Sequence, residues 1–137
     1  MDKAGPIIII DDDLDDQDLL RELFTELNLS NEVKIFPEGE SALSYLSDPS
    51  IRPFIIISDI KMPKMDGFEL RKQLAVRSEH SKTTPFLFFT TGSTSQVLSH
   101  AYTQSVQGIF QKPVRYNEWK DTINSIVKYW TTCMAPN

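Results

Sequence analysis

Four apolar stretches of this sequence end in residues able to do chemistry. Ile7-Ile8-Ile9-Ile10 runs into Asp11-Asp12-Asp13, and Phe54-Ile55-Ile56-Ile57-Ser58 runs into Asp59. Phe86-Leu87-Phe88-Phe89 ends in Thr90-Thr91, and Gly108-Ile109-Phe110-Gln111 ends in Lys112-Pro113. Acid, acid, hydroxyl and cation thus stand at the C-terminal ends of four strand-like segments. In open parallel sheets that rim is where ligands bind. Together these residue types describe a cation-assisted phosphoryl site with a carboxylate acceptor.

Each residue also has a plainer reading. Asp is common at helix starts, so Asp11, Asp12 and Asp13 could serve as caps and solvated acids. Adjacent like charges raise one another's pKa unless a cation compensates, and Mg²⁺ accepts carboxylates and phosphate oxygens. The residues alone leave capping and metal binding both open. Asp59 ends the most uniformly apolar run, where a charge needs a reason to exist; it is a nucleophile or the cap of a turn. Thr90 is a β-branched strand residue or a donor to a phosphoryl oxygen. Lys112 makes a surface salt bridge or pairs with Asp59 and later with a phosphoryl group. His80 and His100 stand in polar surroundings without ligand partners and read as surface residues.

The elements that must position these residues follow from periodicity. Short runs that are apolar throughout read as strands buried on both faces. They are expected near 6–10, 32–36, 54–58, 85–89 and 107–111. The mixed second run, Glu32-Val33-Lys34-Ile35-Phe36, suggests an exposed edge. Leu20, Leu23, Phe24 and Leu27 lie on one helical face, as do Trp119, Ile123, Ile126, Val127 and Trp130. Shorter helices fit 39–47, 67–77 and 94–104, and the last helix runs to about 131. Asp13, Asp15 and Asp16 favour a helix N-terminus. Strands and helices alternate, which implies an α/β fold with a parallel sheet between helical layers.

The 137 residues suit one domain, and 40% hydrophobic content is enough for a core. The net charge is −5 with no basic run, which argues against nucleic acid. No apolar stretch approaches the ~18 residues of a membrane span. The lone Cys133 forms no internal disulfide and fits a reducing cytoplasm. Only a short tail follows the last helix, so any output is expected through the surface.

The motifs Ile-Asp-Asp-Asp at 10–13, Ser-Asp-Ile-Lys-Met-Pro-Lys-Met-Asp-Gly at 58–67, Phe-Thr-Thr-Gly at 89–92 and Gly-Ile-Phe-Gln-Lys-Pro at 108–113 come in one order. The chain thereby resembles the receiver domain of two-component response regulators, single-domain and chemotaxis-regulator-like, over about residues 5–131. The resemblance implies a flavodoxin-like (βα)5 three-layer sandwich with strand order 2-1-3-4-5. It implies one receiver domain, 1–137, that takes a phosphoryl group on Asp59 in a phosphorelay, forming a 4-aspartylphosphate. Asp11, Asp12 and Asp59 would hold Mg²⁺ together with the Lys61 carbonyl, Asp12 being the more direct ligand. Thr90 would be the switch hydroxyl and Lys112 the phosphoryl partner. The donor would be a sensor histidine kinase or a histidine phosphotransfer protein, and an effector protein would receive the signal. The chain would be no enzyme beyond phosphorylating and dephosphorylating itself.

Two alternatives remain. A phosphate-independent module could keep the fold. A phosphatase with an aspartyl nucleophile would want an acid two residues on, where Lys61 stands. The family usually carries Tyr or Phe three residues before the lysine, where this chain has Ile109. Strand alternation turns Phe110 to the opposite face. The Lys112–Pro113 peptide, typically cis in the family, is expected to be cis here.

Overall fold

The computed structural model describes residues 1–136. The strands fall within a residue of their expected places: β1 (Ile7–Ile10), β2 (Val33–Phe36), β3 (Ile55–Asp59), β4 (Phe86–Thr90) and β5 (Gly108–Gln111). Between and after them run α1 (Leu14–Leu27), α2 (Gly39–Leu46), α3 (Gly67–Arg77), α4 (Ser95–Thr103) and α5 (Tyr116–Thr132). A short 3-10 turn, Ser81–Thr83, precedes β4 and was not foreseen. It is too brief to show a periodic pattern.

All strand pairs are parallel and the order is β2-β1-β3-β4-β5, as the resemblance implied. The central strands β1, β3 and β4 are buried along their whole length. The edge strand β2 is half-buried throughout, which explains its mixed composition. Side-chain alternation divides the core in two. Ile7, Ile9, Ile55, Ile57, Leu87 and Phe89 pack on Leu20, Leu23 and Phe24 of α1 and Trp119 and Ile123 of α5. Ile8, Ile10, Ile56, Phe86 and Phe88 pack on Leu43 of α2, Leu70 and Leu74 of α3 and Ala101 of α4. Full burial of each such side chain contributes about 1.5–3 kcal/mol.

Register sets the rim. Ile10 pairs with Ser58, so Asp11 and Asp59 leave the sheet in step. Asp59 pairs with Phe89, and Thr90 with Gln111. Capping aims the following helices. The Asp13 carboxylate accepts from the Asp16 N–H to start α1, and the Asp66 carboxylate accepts from Glu69 N–H to start α3. Among the described residues no helix is long and apolar enough to cross a membrane.

Candidate functional site

Asp11, Asp59 and Lys112 meet at the C-terminal rim of the sheet because they share a side-chain parity. Each continues the alternation of residues that face α1 and α5: Ile9 before Asp11, Ile57 before Asp59, Phe110 before Lys112. The Lys112 ammonium lies 2.9 Å from Asp59 Oδ2 and 2.9 Å from Asp11 Oδ2. All three residues are buried: Asp11 is 3% exposed, Asp59 8% and Lys112 9%. That burial rules out the surface-salt-bridge reading of Lys112.

The remaining oxygens are also held. The Ile60 N–H donates to Asp59 Oδ1 at 2.7 Å, and the Asp13 N–H donates to Asp11 Oδ1 at 2.9 Å. Buried Gln17, one turn into α1, donates from Nε2 to the Asp11 carbonyl at 2.7 Å. Both carboxylates are therefore fixed in place, not merely near one another. Asp12 stands exposed beside them, and Asp11, Asp12 and Asp59 each offer an oxygen within 4.8 Å of the others.

Asp16 completes the group. Its Oδ2 accepts from Lys112 Nζ at 2.7 Å, the shortest of the three contacts. Sequence reasoning treated Asp16 only as a favourable charge at a helix start. No local signal marked it, since its partner lies 96 positions away. A residue in the third helical position turns back toward the rim from which the helix departs.

Burial pulls the Lys112 ammonium down, but bonds to Asp16, Asp59 and Asp11 outweigh it and hold the pKa well above the ordinary lysine value. Burial pushes the Asp11 carboxyl up, to about 6, against the opposing pull of the Asp13 amide and Lys112. The two directions agree physically. One ammonium collects three carboxylates, while each carboxylate has only a share of one ammonium. Four acids around one lysine leave an excess of negative charge, and their hard oxygen donors suit a divalent cation.

Thr90 ends β4 with the opposite parity, following Phe86 and Phe88. It is 2% exposed. Its carbonyl accepts from the Lys112 N–H at 2.8 Å, and the residue lines a cavity of about 570 Å³ with Ile60, Met62, Phe68, Gly92 and Val97. The hydroxyl thus belongs to the α3–α4 side of the rim, across from the lysine. Lys61 has an exposed side chain.

The β3–α3 loop closes under tight constraint. The Gly67 N–H donates to the Ile60 carbonyl at 2.7 Å. A Cβ on Gly67 would lie 2.3 Å from the Asp59 carbonyl oxygen and 2.8 Å from Phe88. Lys64, within the loop, adopts a left-handed φ of 66°.

One expectation is corrected. Among the described residues no peptide bond is cis, so Lys112–Pro113 is trans. The lysine reaches the acids nonetheless, because its strand parity already directs it there. His100 is exposed and packs edge-on against Phe68. His80, only half exposed, is hydrogen-bonded to the Pro49 carbonyl at 2.9 Å.

This sheet, its rim of acids and its buried lysine define a receiver fold, and the response regulator receiver domain model matches residues 7–124. The chain belongs to that family. It is similar to the probable methanogenesis regulatory protein FilR2 of Methanothrix harundinacea, at 27% identity over 90% of this chain and 82% of that protein. In structure it resembles the phosphorylated cyanobacterial phytochrome response regulator RcpA, with a TM-score of 0.85 at 22% identity over 97% and 99% of the two chains. It also resembles the Mn²⁺-bound form of response regulator Rcp1, with a TM-score of 0.82 at 22% identity over the same shares. Receiver domains are typically non-enzymatic signalling modules that work with histidine kinases and effectors.

Proposed function

We propose that Asp59 accepts a phosphoryl group from the phosphohistidine of a sensor kinase or a histidine phosphotransfer protein. The convergence of Asp11, Asp16 and Asp59 on the buried Lys112 ammonium carries this reading. A structural ion pair needs one acid, whereas a transfer site needs a carboxylate held beside a cation that can follow moving charge. A carboxylate oxygen of Asp59 attacks phosphorus in line with the imidazole. The P–N bond breaks, its electron pair stays on the ring, and the new O–P bond makes an acyl phosphate.

The chain's own residues orient this step. The Ile60 amide holds the acceptor carboxylate, and Lys112 lies on its other oxygen, ready to shift to a phosphoryl oxygen. Asp11, Asp12 and Asp59, with the Lys61 carbonyl, would hold Mg²⁺, which spreads the charge of the transferred oxygens when bound. Thr90 would meet the phosphoryl group from the α3–α4 side. One receiver, residues 1–137, would then act in the cytoplasm on an effector protein.

Labelling with a small acyl-phosphate donor tests this. With Mg²⁺ the protein should gain one phosphoryl mass, and Asp59→Asn should gain none. Unchanged labelling of Asp59→Asn, or full labelling in excess chelator, would overturn the assignment.

A further inference from the structure

We propose that Asp16 is a positioning residue that competes with the phosphoryl group for Lys112; the inference rests on the phosphoacceptor reading above. An ammonium has three N–H donors. Here the ammonium donates to Asp16 at 2.7 Å and to Asp59 at 2.9 Å, and its remaining side faces Asp11, ion-paired at 2.9 Å. A phosphoryl oxygen on Asp59 can take over the donor now held by the Asp59 carboxylate, but Asp11 and Asp16 oppose its pull on the ammonium, and the contact that yields is the one solvent can replace. Asp11 is a poor candidate, because its side chain is 5% exposed and water cannot replace the lost partner. The Asp16 side chain is 24% exposed, so solvent can take over its carboxylate. Asp16 also sits on α1, whereas Asp11 and Asp59 sit at strand ends. Its bond therefore ties the first turn of α1 to the loop after β5 until the phosphoryl group arrives. Asp16 sets the point at which Lys112 changes partner, and so the stability of the phosphorylated state.

The test is binding of beryllofluoride, a stable phosphoryl mimic, to the full chain in Mg²⁺, followed by fluorine NMR. Asp16→Asn should tighten binding about 3- to 10-fold, the span that corresponds to a partly exposed charge contact of ~0.7–1.4 kcal/mol. Asp16→Glu, which keeps the competing charge, should stay near the unaltered protein. Asp15→Asn is the control. It removes an equal charge from an exposed neighbour that makes no contact with Lys112. Equal tightening by Asp15→Asn would reduce the effect to general repulsion and overturn the proposal. So would unchanged or weaker binding by Asp16→Asn. If the unaltered protein takes up no beryllofluoride while Asp59 is intact, the phosphoacceptor reading fails instead.

Discussion

Replacing Lys112 with methionine separates the two cations that the site calls for. Methionine keeps the length and apolar stem of lysine and removes only the charge. Three carboxylates then lose a partner at 2.7–2.9 Å, and two of them, Asp11 and Asp59, are almost fully buried. Breaking a buried pair from one side costs about 3–5 kcal/mol. Partial exposure of Asp16 and a shift of Asp11 toward its protonated form soften that, so a loss of about 3 kcal/mol is expected in chelator. At roughly 3–4 °C per kcal/mol for a domain this size, the Tm should fall by about 10 °C. Mg²⁺ should restore much more of the loss in Lys112→Met than it adds to the unaltered protein, since it becomes the main positive charge beside the acids. Urea unfolding in chelator and in Mg²⁺ reads this directly. Trp119, buried at 3% and stacked on Phe89, is the fluorescent reporter. The m-value should not change, because the area exposed on unfolding is the same. A loss below about 1 kcal/mol in chelator, or equal stabilisation of both proteins by Mg²⁺, would show that the ammonium is not what holds the acids together.

Two further outcomes follow from packing. Gly67→Ala should cost about 1–3 kcal/mol and slow labelling of Asp59, because the added Cβ would press on the Asp59 carbonyl at 2.3 Å; unfolding and labelling rates both at the level of the unaltered protein would refute it. A stable phosphoryl mimic should shift the amides of 90–94 and α4 more than that of Ile109, because the loop is exposed beyond Thr90 whereas Ile109 packs on the core beneath α3 and α4. NMR shifts centred on 107–111 with a silent 90–94 loop would contradict this.

What the sequence made legible depended on how local the cause was. Strands showed because Ile7–Ile10 and Ile55–Ile57 are buried on both faces, so burial writes itself into every residue. The edge strand showed for the opposite reason, since a half-buried strand admits Lys34 beside Val33 and Ile35. Capping showed at Asp13, which takes the cap position of α1. Asp16 escaped because its role needs a partner 96 positions away, and no local pattern distinguishes it from Asp15. The last helix was legible on its inner face, where Trp119 and Ile123 are buried, and less so outside, where Tyr129 is exposed and Trp130 half-buried. The Lys112–Pro113 isomer was carried over from family likeness, not from any residue of this chain, and that expectation did not hold.

Strand parity also explains how one phosphoryl group could be read on both sides of the sheet. Asp11, Asp59 and Lys112 project toward α1 and α5, where Asp16 adds the helix's own charge. Thr90 projects toward α3 and α4, onto the cavity beside Phe68, Gly92 and Val97. A phosphoryl group on Asp59 would stand between the two sets. Toward α1 it would draw an ammonium away from Asp16, and toward α4 it would draw a hydroxyl and the loop behind it. Ile109 lies on the second side, packed with the same cluster as Val97 and Phe68. A β-branched side chain has few rotamers open to it, so it transmits a push by shifting with its neighbours and not by swinging. Output through α4 would therefore not require a ring at residue 109. It requires that the loop between Thr90 and α4 can move, and Gly92, with a left-handed φ of 57° and nothing within 4 Å of its missing Cβ, is placed to allow that.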